Sequence, residues 1–229
     1  MSLGKLIGVA LGPGDPELIT LKGLKAFQNA DLIFYPASSI KESKVISFSY
    51  DILKQLNVET ECLPLVIPMT GENREMHYQK AFDEIHEELK KGKNVAVVSE
   101  GDALFYSTFG YILKIAQEAN VDCKVIPGIP AFIATGAEGE KPVTEGNQAL
   151  KVIARPNGFE EIKEALKENQ TLVVMKMSVL DKWSDFLEKQ NRSFFYIERV
   201  GTPQQYSTSN VQDLKLRTIP YFSLIIIYA

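Results

Sequence analysis

The stretch Leu6–Ile7–Gly8–Val9–Ala10–Leu11–Gly12–Pro13–Gly14–Asp15–Pro16–Glu17–Leu18–Ile19–Thr20 decides how the rest of the chain is read. An apolar run meets a Gly/Pro turn and then a helical period, which the spacing extends over about 18–29. A loop just past the end of a strand in an α/β sheet is where ligands are usually bound. The loop is not a dinucleotide fingerprint: the G-x-G-x-x-G spacing is absent, and Pro13 and Pro16 have no N–H to offer a pyrophosphate. No Gly-Lys-Ser/Thr follows, which excludes a P-loop. The plain alternative is a tight turn feeding a helix, with Asp15 near its N-terminus, where a carboxylate is favoured.

Outward from this unit, short apolar runs alternate with helical periods. Leu32–Tyr35 reads as a strand, and Val45, Phe48, Ile52 and Leu56 fall at helical spacing. Glu61–Ile67 is strand-like despite Pro64. Glu72–Lys91 is the clearest helix, with Tyr78, Phe82, Ile85 and Leu89 on one face. Val95–Ser99 suits a buried parallel strand, Phe105–Ala119 a helix and Val121–Ile126 a strand. This rhythm predicts an α/β layer with a mostly parallel sheet. Gly136–Pro142 and Glu145–Asn147 are polar and Gly-rich, which marks a linker. Beyond it come strands at Ala149–Ala154, Thr171–Met177, Phe194–Glu198 and Tyr221–Tyr228, with helices at Phe159–Leu166 and Leu180–Gln190. Strands outnumber helices there, so a mixed sheet is expected. The reading is two α/β domains, 1–139 and 140–229.

Of the 229 residues, 45% are hydrophobic and 24% charged, an ordinary globular composition that excludes a disordered or fibrous chain. The longest apolar stretch, Leu224–Ala229, falls far short of the roughly 20 residues that span a bilayer. Pro13, Asp15 and Glu17 interrupt the N-terminal apolar run too soon for a signal peptide. Cys62 and Cys123 sit in separate strand-like segments and give no disulfide framework. A soluble, cytoplasmic protein is expected, with no membrane partner. The formal net charge of −4 argues against nucleic-acid binding, which usually needs a basic face. His77 and His86 fall on opposite faces of their helix with no Cys/His cluster beside them, so no metal site is expected.

Two more strand-end loops stand out. In Ser99–Glu100–Gly101–Asp102–Ala103–Leu104–Phe105, acidic residues sit where a buried strand ends and a helix begins. Glu100 and Asp102 are candidates to cap that helix, to bind an amino group or to act as a base, and Gly101 permits close approach of a ligand. Pro127–Gly128–Ile129–Pro130–Ala131–Phe132 again follows a strand and opens a helix. The three loops together would line one edge of one sheet.

The residues from Gly8 to Gly23, with Ala10 in the variable region, resemble the N-terminal signature Gly-x-Gly-Pro-Gly-Asp-Pro-Glu-Leu-(Leu/Ile)-Thr-Leu-Lys-Gly of the tetrapyrrole methylases. Gly101–Asp102 stands at that family's Gly-Asp-Pro position, with Ala103 in place of the proline, and Pro127–Gly128–Ile129 at its Pro-Gly-(Ile/Val) position. Leu104–Phe109, Glu198–Arg199 and Pro220–Leu224 are most similar to the family's C20-methyltransferases, which act on precorrin-2 or cobalt-factor II in cobalamin biosynthesis. The departure at Ala103 is expected to loosen the loop without changing its ligand-facing backbone.

The resemblance implies S-adenosylmethionine as methyl donor, held in a cleft between the two domains. It places donor contacts at Pro13, Gly101, Asp102, Ala103, Phe105, Pro130, Ala131 and Met175, with Val200 and Gly201 added. Asp102 is the first candidate for the base that removes the C20 proton, with Lys176 and Tyr221 as further catalytic candidates. The tetrapyrrole partner is a polycarboxylate, so Gly14, Asp15, Arg155 and Arg199, with Lys176, Lys22 and Lys141, are candidates for its binding rim. A homodimer is expected by the same resemblance. The alternatives are a methylase of another ring position and a catalytically silent relative that binds tetrapyrrole or donor.

Overall fold

The computed structural model describes residues 2–41, 44–68, 73–168 and 170–229. The chain divides into two compact units, Met1–Pro130 and Ala131–Ala229.

The first unit runs β1 (Leu6–Ala10), α1 (Leu21–Gln28), β2 (Leu32–Ala37), β3 (Ser39–Lys41), β4 (Lys44–Ile46), α2 (Phe48–Gln55), β5 (Cys62–Val66), α3 (Arg74–Lys90), β6 (Val95–Ser99), α4 (Thr108–Glu118) and β7 (Cys123–Ile126). Strands β3 and β4 form an antiparallel ribbon. The other five make one sheet in the order β5-β2-β6-β1-β7, and every pairing in it is parallel. Parallel neighbours need a crossover between them, and helices on both faces supply it. Alternation along each strand sorts the side chains. Leu32, Phe34, Val95 and Val97 pack with Phe82, Ile85, Phe109 and Ile112 of α3 and α4. Ile33, Tyr35, Ala96 and Val98 pack with Ala26, Phe27, Ile52 and Leu53 of α1 and α2. Both faces of the central strands are therefore apolar, which is why they read as continuous runs.

The helix expected over 18–29 is two pieces. Asp15 Oδ1 accepts from Glu17 N at 2.8 Å and starts a 3₁₀ turn, Pro16–Leu18. Thr20 Oγ1 then accepts from Gly23 N at 3.0 Å and starts α1. Two capping residues in series start two helical segments. Val45 belongs to β4, and Ser47 caps α2 at Tyr50 N. Helix α3 starts at Arg74, and Glu72, where the sequence started it, lies outside the described residues. Helix α4 begins at Thr108, because Tyr106 holds a left-handed φ of 52° that no helix continues through.

In the second unit the order is α5 (Ala131–Glu138), β8 (Ala149–Ile153), α6 (Phe159–Lys167), β9 (Gln170–Met175), α7 (Trp183–Leu187), β10 (Phe194–Glu198), β11 (Tyr206–Thr208) and β12 (Ser223–Ile227). The sheet order is β11-β10-β12-β9-β8, with β8–β9 parallel and the other pairs antiparallel, so it is mixed. Leu172, Val174, Ile225 and Ile227 pack with Ile162, Leu166, Trp183 and Phe186 on one face. The buried Trp183 indole is satisfied by Met177 O at 2.9 Å. The division at 130/131 precedes the expected 139/140, since α5 packs on β12 of this unit and carries Gly136 of the supposed linker. Strand β9 stops at Met175, and Lys176 (φ 55°) turns into a 3₁₀ segment, so Lys176 is not a strand residue. Lys182 (φ 63°) likewise shortens the helix expected over 180–190 to α7.

One close approach tests the first unit. A Cβ on Gly8 would sit 2.2 Å from two ring carbons of Phe109, which is fully buried. Gly8→Ala is expected to cost about 1–3 kcal/mol by overpacking, read as a lower Tm. Adding Phe109→Leu should recover part of the loss, and an unchanged Tm for Gly8→Ala would refute the contact.

Candidate functional site

Because the five strands of the first sheet are parallel, the loops after β1, β6 and β7 leave from one edge. Backbone hydrogen bonds join the first two. Leu11 N donates to Ser99 O at 2.8 Å, and Gly12 and Gly101 then exchange N–H···O bonds of 3.2 and 2.7 Å. Both glycines have positive φ, 79° and 65°, which a side chain would strain. Asp102 ties in the third loop. Its Oδ1 accepts from Leu104 N and its Oδ2 from Gly128 N, each at 2.8 Å. The approach at Gly128 is tight: a Cβ there would lie 2.5 Å from Ala10 Cβ and 2.7 Å from Gly101 O.

Pro13, Gly14, Asp15, Gly101, Asp102, Ala103, Phe105 and Pro130 thus belong to one loop cluster. Ala103 turns its methyl into the core beside Phe109, and its carbonyl accepts the Ser107 hydroxyl. That bond anchors the loop at the position where the family has proline. Leu104 and Tyr106 are exposed, and the Phe105 ring meets Tyr106 edge-on at 4.8 Å.

The second unit gathers a different set at one end of its sheet. Met175 and Lys176 end β9, Arg199 follows β10, and Tyr221 precedes the antiparallel β12. Lys176 N donates to Ser223 O at 3.0 Å and Arg199 N to Phe222 O at 2.9 Å. Lys176 Nζ lies 5.9 Å from the centre of the Tyr221 ring. Arg199 (φ 45°), buried Val200 and Gly201 (φ 78°) form a turn, closed by Thr202 on Arg199 O and by Gly201 N on Gln205 Oε1 at 2.6 Å. Arg155 follows β8 at the same end and is exposed. Neither Arg155 nor Arg199 pairs with a carboxylate among the described residues. Lys141 does not join them: it lies over the Tyr228 ring at 3.6 Å, beside Ser193, at the opposite end of the sheet. Ala131 opens α5, and Lys22 is an exposed residue of α1.

Two polar pairs escaped the sequence reading. Glu198 is 2% exposed, and its carboxylate accepts from Arg217 Nε at 2.5 Å, from a second Arg217 nitrogen at 3.1 Å and from Tyr196 Oη at 2.7 Å. The guanidinium also covers the Tyr206 ring at 3.4 Å. Burial, then the bond to Glu198, pushes the Tyr196 hydroxyl's pKa up, and the bond to Glu198 raises that of Arg217. The cluster fastens the end of β10, and with it the Arg199 turn, to the segment leading into β12. The second pair is in the first unit, where Ser49 Oγ donates to Glu100 Oε1 at 2.5 Å. A lone acid ending an apolar strand was the available signal for both. Among the described residues no group of three His, Cys, Asp or Glu side chains is placed to hold a metal, and no helix is long and apolar enough to cross a membrane.

The family model for tetrapyrrole (corrin/porphyrin) methylases matches residues 5–215. A precorrin-2 C(20)-methyltransferase from Sinorhizobium sp is 31% identical over 241 residues, covering 99% of this chain and 96% of that protein. A probable cobalt-precorrin-2 C(20)-methyltransferase from Methanocaldococcus jannaschii is 31% identical over 182 residues, 78% of this chain and 74% of the relative. Among solved structures, a cobalt precorrin-4 methyltransferase superposes with a TM-score of 0.72 at 24% identity, over 98% of this chain and 94% of that one. A Thermus thermophilus uroporphyrin-III C-methyltransferase complexed with S-adenosyl homocysteine gives 0.70 at 19% identity, over 98% and 97%. These two likenesses carry the fold. The matches in sequence carry more: the chain belongs to the tetrapyrrole methylases.

Proposed function

We propose that the chain is an S-adenosylmethionine-dependent methyltransferase acting on C20 of precorrin-2 or its cobalt form in cobalamin biosynthesis. The observation that carries this reading is the loop cluster of the first unit, three strand-end loops joined through Gly12, Gly101, Asp102 and Gly128. It occurs in a chain 31% identical, over 99% of its length, to a protein named for that reaction. A homodimer in the cytoplasm completes the reading.

The bound donor would supply a methyl group on a sulfonium that already carries its leaving group, so the protein is left mainly with alignment. The cluster fits such a ligand. Gly101 and Gly128 keep side chains off the loop backbone, while Phe105 and Leu104 offer apolar surface for an adenosine. Pro13, Gly101, Asp102, Ala103, Phe105, Pro130, Ala131, Met175, Val200 and Gly201 are the residues proposed for donor binding. Gly14, Asp15, Arg155 and Arg199 are proposed for the tetrapyrrole, the two arginines because their planar forks match carboxylates. Lys176 and Tyr221 are proposed to meet the substrate at the end of β9.

For Asp102 the hydrogen bonds favour holding the loops over removing a proton, since each oxygen already accepts a backbone N–H. In Asp102→Asn one of those N–H groups faces an amide NH₂. The expected result is a loss of about 1–3 kcal/mol of stability and weaker S-adenosyl homocysteine binding, measured by thermal denaturation and calorimetry. A base would behave otherwise, keeping Tm and binding while losing turnover.

The reaction itself is tested with methyl-labelled S-adenosylmethionine and either metal-free or cobalt-loaded precorrin-2, locating the label by NMR. The label is expected at C20. Its appearance at another ring carbon, or no transfer to either substrate, would overturn the proposed specificity.

A further inference from the structure

We propose that Glu100 is a catalytic residue, with Ser49 holding one carboxylate oxygen so that the other takes up the proton released from the methylated ring carbon. This rests on the methyltransferase reading above. Three other acids near the loop edge already serve local structure. Asp15 caps Glu17 N, Asp102 uses both oxygens on backbone N–H groups, and Asp51 pairs with Lys54 at 2.8 Å. Glu100 differs. Its Oε1 accepts from Ser49, whereas Oε2 makes no hydrogen bond among the described residues and is not enclosed.

The support behind Glu100 is rigid. Ser49 is fully buried in the first turn of α2, and its hydroxyl has a single proton to donate. That turn is fixed to β2 by Ser47 Oγ, which donates to Pro36 O at 2.6 Å, and by stacking of Tyr50 on Tyr35 at 4.7 Å. The N-terminal end of α2 favours the negative charge of the carboxylate. Glu100 also immediately precedes Gly101, whose backbone carries the junction with Gly12. A free carboxylate oxygen therefore stands beside the loop cluster on a buried, hydrogen-bonded support.

The proton step balances simply. Once the ring carbon has gained its methyl group, its C–H bond breaks, the electron pair returns to the conjugated ring and the proton bonds to Glu100 Oε2. The resulting carboxylic acid then loses the proton to solvent.

Glu100→Gln separates this role from tethering, because the amide oxygen still accepts from Ser49 at equal volume. We expect unchanged Tm, S-adenosyl homocysteine binding and tetrapyrrole binding (followed by absorbance), with kcat lowered about 10²–10⁴-fold. With substrate deuterated at C20, the isotope effect on kcat should be larger in the variant than in the wild type, since proton loss becomes rate-limiting. A kcat within about threefold of wild type, or an unaltered isotope effect, overturns the proposal. Should Glu100→Gln lower Tm, Ser49→Ala decides, for it removes the tether and keeps the carboxylate. A fall in kcat of about tenfold at constant KM supports the role, and an unchanged kcat removes it. The wild-type reaction keeps the two readings apart. Label at a ring carbon other than C20 overturns the specificity alone, and Glu100 is then judged on kcat with that substrate. No transfer to any tetrapyrrole overturns both.

Discussion

The first unit depends on a constraint of parallel sheets: strands that run the same way end at the same edge, and their loops must share that space. Here the sharing is enforced by the Asp102 carboxylate, which reaches from the β6 loop to Gly128 N of the β7 loop while bracing its own turn at Leu104 N. A hydrogen bond to a charged acceptor contributes about 1.5–3 kcal/mol, enough for these two to brace the β6 loop and hold the β7 loop against it. The reciprocal Gly12–Gly101 bonds fix the third side. Positive φ at Gly12 and Gly101 and the lack of room for a Cβ at Gly128 exclude side chains there, which is what lets the backbones approach so closely.

The second unit solves a similar problem with an ion pair. Glu198 is almost completely buried, and such a charge is tolerable only when its partners satisfy it. Arg217 does so through two nitrogens, Tyr196 adds a third bond, and the Tyr206 face covers the guanidinium. The effect is to lock the turn at Arg199–Gly201 to the segment entering β12. In both units a rigid polar contact just behind a strand end sets the backbone of the residues proposed to bind ligand.

Local chemistry explains where the sequence was legible. Strands β6 and β10 were read to the residue, because both are short apolar runs bounded by turn-forming or charged residues. Helix α3 was legible through Tyr78, Phe82, Ile85 and Leu89, which are all buried. Failures cluster where backbone conformation departs from what residue type suggests. Tyr106, Lys176 and Lys182 each hold positive φ: Lys176 ends a strand that periodicity continues, and Tyr106 and Lys182 delay the start of helices that periodicity begins earlier. Nothing in a tyrosine or a lysine announces that. The short edge strand β11 carries too little pattern to be seen in isolation.

From the sequence alone came the alternation of strands and helices, the mixed character of the second sheet and the three Gly- and Pro-rich loops, because these depend on periodicity and on residues with special backbone freedom. A net charge of −4 likewise spoke only to bulk partners. Tertiary structure decided how the carboxylates divide their work. Glu100 and Asp102 are two residues apart in one motif and look interchangeable as acids. Pairing with Ser49, 51 positions away, leaves one oxygen of Glu100 open, while pairing with Gly128, 26 positions away, occupies Asp102. Hydrogen bonds between distant segments exist only once the sheet has brought those segments together, so no reading of the chain by itself could have assigned them.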